Sequence, residues 1–182
     1  MSENKHVSVK EKLAESQAKF AQEFSVKNKM ALPTIKKVVI NAGTGQELKN
    51  KDIMAKLVGE MSSITGQRPK VQKARISVAG FSLREGTPVG LTVTLRGKKM
   101  WFFLDKLVSI VLPRLRDFRG IPAKFDQAGN YTYGMSEYTV FPEIDLAKVD
   151  RPRGLEITVV TNAGSPEKGK FFLSQMGLPF EK

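Results

Sequence analysis

Apolar positions along the chain recur at two spacings, and the two alternate from segment to segment. Ser8 and Glu11 form a Ser-x-x-Glu pattern that can satisfy two helix-end N–H groups reciprocally. A helix is therefore expected from Ser8 to about Phe24, with Leu13, Phe20 and Phe24 on one stripe. After Pro33, residues 34–42 (TIKKVVINA) are rich in β-branched types and predict a strand, with Gly43 and Gly45 marking the turn after it. Ile53, Met54, Leu57, Val58, Met61 and Ile64 recur at three and four residues and predict a helix over 51–64, stopped by Gly66.

Pro69 to Lys73 predicts a short strand running into a loop with Ala79, Gly80 and Gly86. Residues 88–96 (PVGLTVTLR) alternate, with Val89, Leu91, Val93 and Leu95 one way and Thr92, Thr94 and Arg96 the other. Gly97 opens a helix carrying Met100, Trp101, Phe103, Leu104, Leu107, Val108 and Val111, with Pro113 near its end. Its apolar residues lie nearly all round, so most of it is expected to be buried. Residues 120–153 are rich in Gly, Pro and Tyr and predict irregular chain with short strands near Tyr131 and Val140. A second alternating strand follows over 155–162, with Leu155, Ile157 and Val159 inward and Glu156 and Thr158 outward. Ser165 as N-cap, Pro166 and Glu167 open a last helix.

The core order is β-α-β-β-α-β with flanking helices. That predicts an α+β fold: an antiparallel sheet with helices on one face, in the split arrangement of ferredoxin-like and RNA-recognition folds. The 182 residues suit one domain. Its expected parts include a loose terminus at 1–7, an N-terminal helix at 8–25, a basic loop at 73–87 and an irregular extension at 113–153. The uncovered sheet face would collect Lys37, Asn41, Lys70, Gln72, Thr92, Thr94, Arg96 and Thr158, whose groups suit phosphates and 2′-hydroxyls. An ordinary solvated face, rich in Thr because Thr favours strands, is the plainer alternative. None of the 11 Phe, 3 Tyr or 1 Trp falls at those positions, so stacking on unpaired bases is not expected there; folded RNA read by shape is.

Charge sharpens this picture. The formal net charge is +12. Residues 68–84 contain five basic residues (Arg68, Lys70, Lys73, Arg75, Arg84) and no acid. Residues 96–119 contain seven basic residues against Asp105 and Asp117. A basic surface kept only for solubility usually intersperses both signs, whereas a polyanion footprint concentrates one. The loop from Lys73 to Arg84 is expected to anchor itself through Ile76, Val78, Phe81 and Leu83 while Lys73, Arg75 and Arg84 reach outward. Arg114, Arg116 and Arg119 either complement a helix C-terminus or form a further contact.

Other chemistry is thinly represented. With no cysteine there are no disulfides, thiolate ligands or cysteine nucleophile. His6 is the only histidine, so neither a His-Ser pair nor a His-based metal site is expected. Asp126, Glu143 and Asp145 could meet only if the irregular segment folds back, and Gly43-Thr44-Gly45 is too short for a nucleotide loop. The longest apolar stretch, Met100 to Leu112, is interrupted by Asp105, Lys106 and Ser109, and no signal peptide is read at the start. No cofactor, membrane partner or enzymatic activity is expected. A general nucleic-acid chaperone, or a ferredoxin-like enzyme, are the competing readings.

One series of segments is more specific: ITGQRPKVQKARISVAGFSLREG from Ile64, then VTLRGKKMWFFLDKL, VLPRLRDFRG, FPEID and DRPRGLEITVVT. In this order they resemble the family of the fifth protein of the large ribosomal subunit, in its bacterial form, over roughly Ala31 to Lys182. The resemblance implies a cytoplasmic, ribosome-bound protein that binds 5S rRNA and helps seat it in the central protuberance. Implied neighbours are 23S rRNA, other 5S-associated ribosomal proteins, the peptidyl-site transfer RNA and a small-subunit head protein.

Carried over, Asn41, Gln67, Thr92, Thr94 and Arg96 match the family's polar sheet positions, with Lys37 beside them; Lys70, Gln72 and Thr158 complete the expected 5S set. The loop from Lys73 through Arg84, with Lys73, Arg75, Ser77 and Arg84, matches the part that approaches the transfer-RNA elbow. The segment from Pro113 to Asp145 is the expected intersubunit contact, with Arg114, Arg116 and Arg119 the residues for other rRNA or intersubunit contacts. Val39 and Val160 stand where related sequences often carry threonine, so each lacks a hydroxyl there.

Overall fold

Alternation of buried and more exposed residues along most of three strands sets the architecture. In the computed structural model, which describes residues 8–43, 51–116, 118–149, 151 and 153–181, strand β1 spans Ile35–Gly43. It buries Val38, Ile40 and Ala42 and turns Lys37, Val39 and Asn41 to the other side. Strand β3 (Pro88–Leu95) buries Leu91, Val93 and Leu95, and strand β5 (Leu155–Thr161) buries Leu155, Ile157 and Val159. Each such Val, Leu or Ile side chain contributes about 1.5–3 kcal/mol, and a one-residue register slip would expose the whole set, so the register is strongly specified. With β2 (Lys70–Lys73) and β4 (Tyr131–Met135) the chain forms one antiparallel five-stranded sheet in the order β2-β3-β1-β5-β4.

The chain divides into two compact units. The first gathers 1–38, 96–133 and 158–182; the second gathers 39–95 and 134–157. In the first unit the N-terminal helix α1 (Lys12–Glu23) begins later than the expected start at Ser8, and the Ser8–Glu11 pattern instead closes the turn that leads into it. Ser8 N–H donates to Glu11 Oε2 at 3.0 Å and Glu11 N–H donates to Ser8 Oγ at 3.3 Å. Helix α4 (Pro166–Gln175) starts on Ser165, whose Oγ accepts from Lys168 N–H at 3.4 Å. The two helices meet through Phe20, Phe24 and Phe171, with an edge-on contact of 5.6 Å between the rings of Phe24 and Phe171. Lys168 Nζ lies 5.7 Å from the Phe24 ring centre.

Helix α3 (Gly97–Lys106) corrects the expectation of a mostly buried rod. Met100, Phe103, Leu104 and Leu107 are buried, but Phe102 is 70% exposed and Ile110 is 39% exposed. The helix lies at a surface with one side in solvent, so an all-round apolar sequence leaves some apolar groups outside. Its continuation, Leu107–Val111, is a π turn in which Leu112 N–H reaches back five residues to Leu107 O. The extra residue re-aims the chain so that neighbours Val111 and Leu112 are both buried before the short 3-10 turn Leu112–Arg114.

In the second unit, helix α2 (Lys51–Thr65) packs on β3 and buries Leu57, Met61 and Ile64. Gly66 follows at φ +65°, where its N–H closes the last turn on Ser62 O at 2.8 Å. The strand expected near Val140 is instead the 3-10 turn Tyr138–Val140. Tyr138, Phe141 and Ile144 are buried at three-residue spacing, and Phe141 N–H and Ile144 N–H close tight turns on the carbonyls of Tyr138 and Phe141. A period of three suits 3-10 turns and not a strand. Tyr138 also donates its hydroxyl hydrogen to Glu60 Oε2 at 2.8 Å, tying this segment to α2.

Candidate nucleic-acid interface

The outward side of the second unit carries one transverse row of polar groups. Thr92 on β3 donates its hydroxyl hydrogen to Asn41 Oδ1 on β1 at 3.1 Å. Asn41 Nδ2 donates to Glu156 Oε2 on β5 at 3.3 Å. Lys70 on β2 sits directly opposite Thr92 in the ladder, so it points to the same side, and Gln72 lies opposite Gly90. Gln67 joins from the end of α2, its Nε2 donating to the Thr94 carbonyl at 3.3 Å. The structure thus brings Asn41, Gln67, Lys70, Gln72, Thr92 and Thr94 together. It adds Glu156, which alternation places outward but whose pairing with Asn41 only the strand order reveals.

The first unit holds the other three expected sheet residues. Lys37 is half-buried on its part of β1, and Arg96 is exposed in extended backbone just before α3. Thr158 on β5 lies 3.1 Å, hydroxyl to hydroxyl, from Thr132 on β4. Sequence reasoning did not select Thr132; its place between buried Tyr131 and half-buried Tyr133 is the signal that was available. Val39 and Val160 do face outward, half-exposed, so both lack a hydroxyl on that side.

The basic loop is a built finger. Ala74 N–H donates to Thr87 O at 2.8 Å and Gly86 N–H to Ala74 O at 2.9 Å; further out, Val78 and Leu83 exchange bonds of 2.9 and 3.1 Å. Ser77 Oγ accepts from Glu85 N–H at 2.9 Å, so its oxygen holds the finger's shape. The 3-10 turn Ala79–Phe81 forms the apex and leads into Ser82 at φ +49°. The expected anchoring holds only in part. Val78 and Leu83 are half-buried, but Ile76 and Phe81 are 69% and 73% exposed. The finger projects with no core of its own wide enough to cover them. Lys73, Arg75 and Arg84 are exposed as expected.

Arg114, Arg116 and Arg119 are exposed after the π turn in the first unit. Asp126 and the pair Glu143 and Asp145 fall in different units, and among the described residues no cluster of His, Cys, Asp or Glu could hold a metal ion. Asp126 instead accepts from Asn130 N–H and Asn130 Nδ2, both at 2.7 Å; that side-chain bond chiefly holds its carboxyl below the ordinary value. Asp145 accepts from Ala147 N–H at 3.1 Å. His6, Thr44 and Gly45 lie outside the described residues. Among the described residues no helix is long and apolar enough to cross a membrane.

A basic finger and a polar cross-strand row on an α+β fold have the chemistry suited to a folded polyanion. Comparison with known proteins narrows this. A family model described as "Ribosomal protein L5" matches residues 28–84, and a second, for the C-terminus of the same ribosomal family, matches residues 88–180. The chain is 51% identical over 163 residues to the large ribosomal subunit protein uL5 of Nocardia farcinica, covering 89% of this chain and 87% of that protein. It is 47% identical to the uL5 of Corynebacterium diphtheriae over 184 residues, covering 100% of this chain and 98% of that one. It is 49% identical to the uL5 of Saccharopolyspora erythraea over 162 residues, covering 88% and 87%.

The chain belongs to the ribosomal protein L5 family. It is accordingly a non-enzymatic structural constituent of the large ribosomal subunit, bound to the ribosome in the cytoplasm, with rRNA and ribosomal proteins as its partners.

Proposed function

We propose that the outward sheet face holds 5S rRNA in the central protuberance, and that the basic finger contacts the peptidyl-site transfer RNA. The observation that carries the first half is the row Glu156–Asn41–Thr92–Lys70, in which hydroxyl, amide and ammonium groups from four strands stand side by side. Asn41 and Thr92, held by hydrogen bonds, lose little freedom on binding, and with the Lys70 ammonium they match phosphate oxygens and 2′-hydroxyls. Within the first unit, Lys37, Arg96 and Thr158 offer the same chemistry. Across the second unit's row no aromatic ring is available for stacking, which favours a pre-folded RNA. The finger, with Lys73, Arg75, Ser77 and Arg84, presents cations on a rigid hairpin suited to a second RNA. Arg114, Arg116 and Arg119 serve 23S rRNA or a small-subunit head protein.

Filter binding of full-length protein to 5S transcript tests the sheet-face assignment. Affinity should fall steeply with salt, as expected when phosphate contacts release counterions. Arg96→Ala or Thr94→Ala should weaken it about three- to tenfold with the melting temperature unchanged. Unchanged affinity rejects the assignment, and equal affinity for bulk duplex DNA favours a general nucleic-acid binder. Lys73→Ala with Arg75→Ala should spare 5S binding and loosen transfer RNA on reassembled ribosomes; an equal loss for 5S would show that the two sites are wrongly divided.

A further inference from the structure

The finger ends in two apolar side chains that folding leaves in water. Phe81 is 73% exposed at the apex and Ile76 is 69% exposed on the ascending arm. Single exposed hydrophobic residues are ordinary. These two share a short hairpin whose other exposed side chains include Lys73, Arg75 and Arg84, against one acid, Glu85. The apex backbone is also fixed. Phe81 N–H donates to Val78 O at 3.3 Å, Ser82 N–H to Ala79 O at 3.0 Å, and Ser82 adopts a left-handed conformation uncommon for serine. The direction in which the ring leaves the backbone is therefore set, which lowers the ordering cost of any contact it makes.

We propose that the fingertip is a stacking element for folded RNA: Phe81 and Ile76 pack on the uncovered face of a nucleobase while Lys73, Arg75 and Arg84 meet the surrounding phosphates. The proposal rests on the reading of this loop as an RNA contact and adds the chemistry recognised, a flat unstacked base surface. Three exposed cations against the single acid Glu85 favour a polyanion over a neutral or basic protein groove. An exposed ring among cations selects a base plane over bare backbone, because every base offers a π-face and arginine reinforces the stack. Stacking needs only a flat face, so the tip tolerates RNAs of one shape and differing sequence. The sheet row of the second unit, which has no ring, and the fingertip, which has one, would thus read RNA by different means.

The test uses ribosomes reassembled with full-length variants and, as probe, a transfer-RNA transcript carrying 2-aminopurine in its elbow loops. Wild-type protein and Phe81→Trp should quench the probe. Phe81→Ala should lose the quench and speed dissociation about tenfold, the scale of one lost stack, with 5S affinity unchanged. Arg75→Ala with Arg84→Ala should weaken binding and flatten its salt dependence while the bound fraction stays quenched. If the arginine variant weakens binding and Phe81→Ala changes neither quench nor dissociation, the loop binds RNA by charge alone and the stacking proposal is overturned. If neither variant affects transfer RNA, the RNA reading of the loop fails with it. Loss of subunit incorporation by Phe81→Ala would assign the tip to a protein neighbour and also overturn the proposal.

Discussion

The Asn41 Nδ2 amide N–H donates to Glu156 Oε2 across the β1–β5 pair at 3.3 Å. A carboxylate only accepts hydrogen bonds, so Glu156 fixes which end of the amide is nitrogen, and Asn41 Oδ1 is left facing the Thr92 hydroxyl. An acid on a face that meets a polyanion is unfavourable by charge alone. Its place in the row is explained if it orients Asn41. Glu156→Ala should therefore lower 5S affinity about threefold although it removes a negative charge, and Asn41→Ala should lower it about tenfold. Tighter binding by Glu156→Ala in a filter assay would show that repulsion outweighs orientation.

Gly169 gives a prediction opposite in sign to the helix rule. Glycine to alanine inside a helix ordinarily stabilises by about 1 kcal/mol. Here a Cβ at Gly169 would stand 2.5 Å from Gly129 O, backbone that cannot swing aside. Gly169→Ala should destabilise by about 1–3 kcal/mol in denaturant unfolding, the range for overpacked sites. A stabilised variant would mean that the backbone at Gly129 yields to the added methyl group.

All three tyrosines are held above the ordinary phenol value of 10.0, chiefly by burial, and Tyr138 is pushed up to about 12 with help from Glu60. The folded protein thus binds protons that the unfolded chain releases. This part of stability is complete below pH 10.0 and declines as pH rises through the folded values, for Tyr138 towards about 12. Tyrosinate absorbance should appear late in the native protein and return to the ordinary range in denaturant. A native titration centred on the ordinary value would refute the burial.

Asp126 behaves in the opposite sense. Its lowered value means that its contribution is complete above the ordinary aspartate value of 3.8 and is lost as pH falls through the folded one. Asp126→Ala should cost about 1 kcal/mol at neutral pH by removing acceptors for Asn130 N–H and its side chain. Unfolding curves at neutral and acidic pH check this; a cost that persists unchanged in acid would show that the carboxylate charge is irrelevant.

The two capping signals, Ser8 with Glu11 and Ser165 with Pro166, are legible in the sequence because a helix start is decided by a few adjacent side chains. The strands of Leu91 and Ile157 are legible because two-residue alternation has one structural meaning when one face is buried. The turn at Tyr138–Val140 reads as a strand because its spacing of three, shared by Tyr138, Phe141 and Ile144, competes with β-rich composition over a short window. The π turn at Leu107–Val111 leaves no local mark, since an extra residue in a helix is chosen by which side chains the core accepts.

Residue types and their spacing determined the order of strands and helices, the outward placement of Thr92, Thr94 and Asn41, and the concentration of charge at 68–84. These depend on local sterics and on the hydrophobic period, which the chain carries in itself. Only the tertiary structure decided that Glu156 would hold Asn41, that Thr132 would meet Thr158, and that Phe81 would stand in water at a fixed apex. Each depends on which strands become neighbours and on how much core lies beneath a hairpin. Those are long-range outcomes of packing, and no run of adjacent residues specifies them.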